Sequence, residues 1–215
     1  KIFIGALNSE EEIRGVIINA RNNKNGFFCV VDLTHPFATK ITSTVSKVCR
    51  DIGQYYIRYE RPVDKIQNEF LIKKLSDLGD YNLRDKSILL ALGSRHLGDV
   101  HVCLRDLGAN VFARVLANPE SLKKTLSSSI LRKNIAVLNP SNSRNCGIEK
   151  ALIKKWNIDG VVCRQSGGRS EKSWRQICLS MGIDLWLLKR PSAIKVIDTV
   201  NSYENLIKRL KTIRI

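Results

Sequence analysis

The chain has 215 residues, 43% of them hydrophobic, which is enough for one large domain or two small ones with a buried core. No apolar run reaches the roughly 18 residues of a membrane span, and no charged-then-apolar start resembles a secretion signal, so a globular cytoplasmic protein is expected. Lys and Arg outnumber Asp and Glu by 36 to 20, a net charge of +16 that calls for an anionic partner without naming it.

Apolar runs of about five residues alternate with segments of helical period, the pattern of a parallel sheet with crossover helices. The expected class is therefore α/β. Lys1 to Ile4 reads as a strand, Glu10 to Asn22 as an amphipathic helix, and Phe27 to Asp32 as the next strand. That strand runs into Leu33-Thr34-His35-Pro36-Phe37-Ala38, where Thr34 or His35 suits a helix cap and Pro36 a first helical position. Outward N–H groups, a helix dipole and an imidazole suit a carboxylate or phosphate; an ordinary capped helix with a structural histidine is the alternative. A helix over Phe37 to Ile52 leads to a strand at Tyr55 to Tyr59, whose end carries Arg58 and Arg61 around Glu60. Those guanidiniums could grip an anion through their fixed donor forks, or form a surface ion-pair cluster.

Asp64 to Lys86 is the most polar interior stretch, and the strand-helix rhythm restarts at Ser87, so a lobe boundary is placed near Lys86. This gives an N-terminal lobe over 1–86 and a C-terminal lobe over 87–215. The strand Ser87 to Leu92 ends in Gly93-Ser94-Arg95-His96, with a helix over Leu97 to Leu107 behind it. Strands follow at Asn110 to Val115, Ile135 to Leu138 and Gly160 to Cys163, with a helix over Ile148 to Trp156. Then comes Arg164-Gln165-Ser166-Gly167-Gly168, with Lys172 and Arg175 on a helix over Ser170 to Met181. Paired glycines among bases favour a ligand lying against the backbone. A strand at Asp184 to Leu188 and a short helix over Tyr203 to Leu210 close the chain. From Ser121 onward 19 bases face 6 acids, whereas the residues up to Glu120 hold 17 against 14, so the second half carries the positive field. The six cysteines are scattered without metal-ligand spacing and read as reduced core residues. Ligands of such sheets bind at the carboxyl ends of the strands, which directs attention to the turns.

Four segments in this order, Val31 to Ala38, Arg58 to Pro62, Leu92 to Leu97 and Arg164 to Gly168, resemble the precorrin-6A and cobalt-precorrin-6A reductases of cobalamin biosynthesis. Phe112-Ala113-Arg114-Val115-Leu116 and Lys189-Arg190-Pro191 extend the resemblance, which covers roughly Gly5 to Pro191. It implies two Rossmann-like lobes with the ligands between them, and NADPH-dependent reduction of a double bond in an anionic tetrapyrrole, precorrin-6A or its cobalt form. It implies that Thr34, Gly93, Ser94 and Arg95 hold the cofactor. His35, Phe37, Arg58, Arg61, Arg164, Ser166, Gly167, Gly168 and Lys172 would hold the substrate, and no metal ligand is expected. His35, a motif histidine whose ring can change charge near neutral pH, is the candidate proton donor or orienting residue. The family usually opens with a strand and a Gly-Gly-Thr turn, which this sequence lacks, so the N-terminal lobe is expected to miss its first β-α unit. Leu138-Asn139-Pro140-Ser141 stands where the family tends to have Gly-Pro-Phe, and Arg164-Gln165 where it favours Lys-Asn. Charge alone would also suit a nucleic-acid binder, but no recognition motif supports one. A nonenzymatic tetrapyrrole carrier is the third reading.

Overall fold

The structure, a computed structural model, describes residues 7, 9–139, 146–192 and 198–213. In chain order the elements are α1 (Glu10–Asn22), β1 (Val30–Asp32), α2 (Thr39–Asp51), β2 (Tyr56–Tyr59), β3 (Phe70–Ile72), β4 (Ser87–Ala91) and α3 (Leu97–Asp106). They continue with β5 (Asn110–Val115), α4 (Pro119–Leu126), β6 (Ile135–Val137), α5 (Gly147–Lys155), β7 (Gly160–Arg164), α6 (Arg169–Met181), β8 (Asp184–Leu188), β9 (Thr199–Val200) and α7 (Tyr203–Ile213). The chain divides into two compact units, Lys1–Pro62 with Pro191–Ile215, and Val63–Arg190.

In the first unit, α1 starts where the Ser9 hydroxyl accepts the Glu12 N–H, with Glu10, Glu11 and Glu12 at the positive end of the helix dipole. Its Ile13 and Ile17 bury against Val48 and Cys49 of α2, beside the parallel strands β1 and β2. α2 begins two residues later than the sequence suggests. Pro36 does not open the helix; it sits in a β-turn closed by the Ala38 N–H donating to the His35 carbonyl at 2.7 Å, and Ala38 is the N-cap. β9 joins the outer side of β2, also in parallel.

The second unit is a six-stranded, wholly parallel sheet in the order β3-β8-β7-β4-β5-β6. Ile88-Leu89-Leu90 of β4 and Leu185-Trp186-Leu187 of β8 are buried on both faces, as internal parallel strands require. Ile88, Leu90 and Leu92 pack with Leu97, Val100 and Leu104 of α3 on one side. Leu89, Val161 and Cys163 pack with Ile153 of α5 and with Trp174 and Ile177 of α6 on the other. Gly160 opens β7 because a Cβ there would stand 2.3 Å from the Trp186 ring. From β4 the chain steps outward through β5 to β6, then returns to place β7 on the opposite flank of β4. The strand order reverses between β4 and β7, and at such a switch point the connections leave a crevice at the carboxyl ends.

The α/β class with mainly parallel sheets is as expected. The strand foreseen at Lys1 to Ile4 lies outside the described residues. The sequence reading drew a boundary near Lys86, but β3 pairs with β8 and Leu78 and Leu83 enter the core of the second unit, so that unit starts at Val63. The residues after Arg190 belong to the first unit, through β9 beside β2. β3, β9 and α4 are additions to the expected elements; the Asn118 side chain caps α4 by accepting the Ser121 N–H at 2.8 Å. None of the six cysteines is in a disulfide, and four of them are buried. Among the described residues no helix is long and apolar enough to cross a membrane.

Candidate functional site

In the first unit, the parallel register sets Asp32, the last residue of β1, directly beside Arg58 of β2. Both are 4% exposed. Asp32 Oδ1 accepts from Arg58 Nη1 at 2.9 Å and from the Thr34 N–H at 2.8 Å, while Oδ2 accepts from the Tyr56 hydroxyl at 2.7 Å. Arg58 Nη1 also donates to Thr34 Oγ1 at 2.9 Å, and its Nε reaches Glu60 at 3.1 Å. The Thr34 and Thr42 hydroxyls lie 3.0 Å apart, tying the turn to α2. Burial by itself would raise the Asp32 pKa, but hydrogen bonds from Thr34, Tyr56 and Thr42 outweigh it and hold the carboxyl below its ordinary value. The Tyr56 phenol moves the other way, first through burial and then through its bond to the Asp32 carboxylate. Beyond this network sit His35 and Phe37, both half-buried, with ring centroids 5.7 Å apart. His35 Nδ1 accepts the Phe37 N–H at 3.2 Å. Arg61 follows β2, also half-buried.

Two expected ligand contacts are thus already engaged within the fold. Thr34 uses its N–H and hydroxyl on Asp32, Arg58 and Thr42, and Arg58 bonds Asp32, Thr34 and Glu60. Both shape the turn from behind. Asp32 and Tyr56 were not singled out, although an acid ending one strand and a base ending the next was the available signal.

In the second unit, the switch point brings together the turns after β4 and β7, which the sequence separates by some seventy residues. Gly93 has φ +80°, a conformation that favours glycine, and the site of its absent Cβ is 3.9 Å from Arg164 Nη2. Burial, and after it the like charge of Arg95, pushes the Arg164 guanidinium down from its ordinary value. Gly167, at φ +64°, gives its N–H to Glu171 at 2.7 Å, so this turn is braced by a carboxylate from the first turn of α6. Arg175 is clamped between Glu171 and Glu69 and serves the same brace. Gly168 is different: it caps α6 in an extended conformation that any residue adopts, so its backbone does not call for a missing side chain. Ser166 is buried, and Lys172 is exposed with Asp64 at 3.9 Å. The Arg190 guanidinium donates to the Gln165 carbonyl at 3.2 Å, which gives the Lys-Arg-Pro segment a structural task. A cavity of about 620 Å³ in this unit runs along α6 beside the 64–69 segment, but its guanidinium, Arg175, is already paired with Glu69 and Glu171.

The family described as precorrin-6x reductase, CbiJ/CobK, matches residues 1–211. This chain belongs to that family. The cobalt-precorrin-6A reductase of Synechocystis sp. is 31% identical over 199 residues, covering 90% of this chain and 72% of that protein. The cobalt-precorrin-6A reductase of Methanococcus maripaludis is 28% identical over 188 residues, 82% of this chain and 72% of that protein. The precorrin-6A reductase of Mycobacterium tuberculosis is 24% identical over 205 residues, 93% of this chain and 78% of that protein. Among solved structures, a CobK precorrin-6A reductase superposes with a TM-score of 0.74 over 94% of this chain and 76% of that one, at 19% identity, which speaks for the fold. Membership in a precorrin-6x reductase family makes oxidoreduction the reaction class and a nicotinamide nucleotide the cofactor class.

Proposed function

We propose that the chain reduces one double bond of the precorrin-6A macrocycle, or of its cobalt form, with NADPH as the hydride source. The observation that carries this reading is the meeting of Gly93-Ser94-Arg95 with Arg164 to Gly168 at the switch point of the second unit, in a member of this family. Two guanidiniums beside side-chain-free backbone suit phosphate or carboxylate groups, and the cofactor and substrate are both strongly anionic. Gly93, Ser94 and Arg95 are assigned to the cofactor's phosphates. Arg164, Ser166, Gly168 and Lys172 are assigned to carboxylates of the macrocycle, with Gly167 shaping their turn. In the first unit, His35, Phe37 and Arg61 face the substrate while Asp32, Thr34 and Arg58 hold them in place.

The nicotinamide, when bound, supplies the hydride. The reduction adds that hydride to one atom of the double bond and a proton to the other. The chain's own residues orient the two partners and neutralise their charges, which is where a binding protein lowers the barrier of a bimolecular transfer. A cytoplasmic location, where NADPH is supplied, is part of this reading. Anaerobic mixing of the chain with NADPH and precorrin-6A, with and without cobalt, tests the reading. NADPH absorbance should fall only when a macrocycle is present. Tight macrocycle binding with no loss of NADPH would instead make the chain a carrier.

A further inference from the structure

We infer that Arg114, at the end of β5 and beside the start of α5, receives the 2′-phosphate of the nicotinamide nucleotide and so makes the chain select NADPH over NADH. This rests on the assignment of the Gly93-Ser94-Arg95 turn to the cofactor. Taken from β4 as the first strand, the order β6-β5-β4-β7-β8 is the doubly wound order 3-2-1-4-5. In such a sheet the turn after the first strand meets the pyrophosphate, and a residue about 20 positions on, at the end of the second strand, meets the 2′ position of the adenosine ribose. An acid there suits a 2′-hydroxyl, and an arginine suits a 2′-phosphate. Here the second strand is β5, and Arg114 is its last residue but one, about 20 positions after Gly93.

The state of the side chain sets Arg114 apart from an ordinary strand residue. It is 9% exposed, its Nε is enclosed without a hydrogen-bond partner, and no ion pair engages its guanidinium among the described residues. Burial lowers its pKa, and the charge of Glu149 acts the other way. Glu149 lies in the first turn of α5, which brings the guanidinium to the start of that helix. The strand agrees, because Phe112, on the same face of β5, packs against Trp156 at the far end of α5 with ring centroids 5.0 Å apart, and Arg114 lies further along toward the N-terminal end. That end is open. No side chain caps α5, the N–H groups of Gly147 and Ile148 have no partner among the described residues, and nothing stands within 4 Å of where a Cβ on Gly147 would be. Bare N–H groups at the positive end of a helix dipole and a buried guanidinium fork together fit a phosphate. A guanidinium buried only to neutralise Glu149 would bond it directly; left without such a bond, it carries a desolvation cost that a phosphate repays.

The probes are 2′,5′-ADP and 5′-AMP, which differ by the 2′-phosphate and need no turnover. In calorimetric titration the parent should bind 2′,5′-ADP about tenfold or more tightly than 5′-AMP. Arg114→Met should lose that advantage and leave 5′-AMP binding as it was, whereas a merely structural role would weaken both nucleotides alike. Arg114→Lys keeps the charge without the fork, so it should fall between the two, and it carries the same comparison should Arg114→Met not fold. The preference for NADPH over NADH, as the ratio of kcat/KM, should drop by the same factor. Equal affinity of the parent for the two probes, equal losses for both in the variants, or a loss confined to precorrin-6A overturns the inference. Turnover with an undiminished NADPH preference in both variants overturns it too and leaves the reductase reading standing. Arg114-dependent binding of 2′,5′-ADP by a chain that reduces no macrocycle upholds it and removes the reductase reading.

Discussion

Arg58→Met removes one half of the buried pair at the strand ends and leaves the other half in place. The Asp32 side chain, 1% exposed, would keep its charge with the guanidinium gone, and Thr34 Oγ1 would lose its donor. Breaking a buried ion pair by deleting one partner costs about 3–5 kcal/mol. Asp32 retains the Thr34 N–H and the Tyr56 hydroxyl, so the lower end of that range, about 3 kcal/mol, is expected. The measurement is urea unfolding of the parent, Arg58→Met, Asp32→Asn and the double variant, followed by circular dichroism and separately by tryptophan fluorescence. All three tryptophans, Trp156, Trp174 and Trp186, lie in the second unit, so the dichroism transition should shift more than the fluorescence transition. The double-variant cycle should give a coupling of about 1.5 kcal/mol or more. Because the folded Asp32 pKa lies below its ordinary 3.8, this stabilisation is full above that value and fades as pH falls through the folded pKa. Arg58→Met matching the parent to within about 0.5 kcal/mol, or a coupling near zero, would refute the reasoning.

Gly160→Ala pushes a Cβ into the Trp186 ring, 1% exposed and unable to yield, and should lower stability by about 1–3 kcal/mol in a fluorescence-monitored melt. Glu171→Gln weakens the grip on the Gly167 N–H and on Arg175; it should weaken precorrin-6A binding in a calorimetric titration by severalfold, since the turn loses its brace. Arg164→Ala with Lys172→Ala should weaken precorrin-6A binding about tenfold or more and NADPH binding less, and equal losses for both ligands would count against their assignment to the macrocycle.

What the sequence made legible follows from how local each signal is. α1 was read to the residue because Ser9, three glutamates and the Ile13 and Ile17 spacing all act within two turns of helix. β5 and β8 were read to the residue because a short apolar run bounded by polar turns needs no distant partner to be recognised. β3 is three residues inside a polar stretch and exists through its pairing with β8, more than a hundred positions later, so nothing near Phe70 announces it. Pro36 misled because its fixed φ suits a helix start and a β-turn equally, and the turn is settled by the Ala38 N–H meeting the His35 carbonyl. At the site, the motifs led to the right turns but not to the roles within them. Arg58 in sequence is an available fork; only the register with β1 shows it facing Asp32. The direction of the Phe37 N–H, which meets the His35 ring, is written in no residue type.

The central claim is that this chain passes hydride from NADPH to a precorrin-6A macrocycle, and isotope transfer tests it most directly. NADPH carrying deuterium at the transferable position of the nicotinamide is incubated anaerobically with the chain and precorrin-6A, with and without cobalt, and the tetrapyrrole is examined by mass spectrometry. The account predicts a reduced macrocycle bearing one deuterium on carbon, formed only when chain, cofactor and macrocycle are together. An unlabelled reduced product, or a macrocycle recovered unchanged beside intact NADPH, would contradict it.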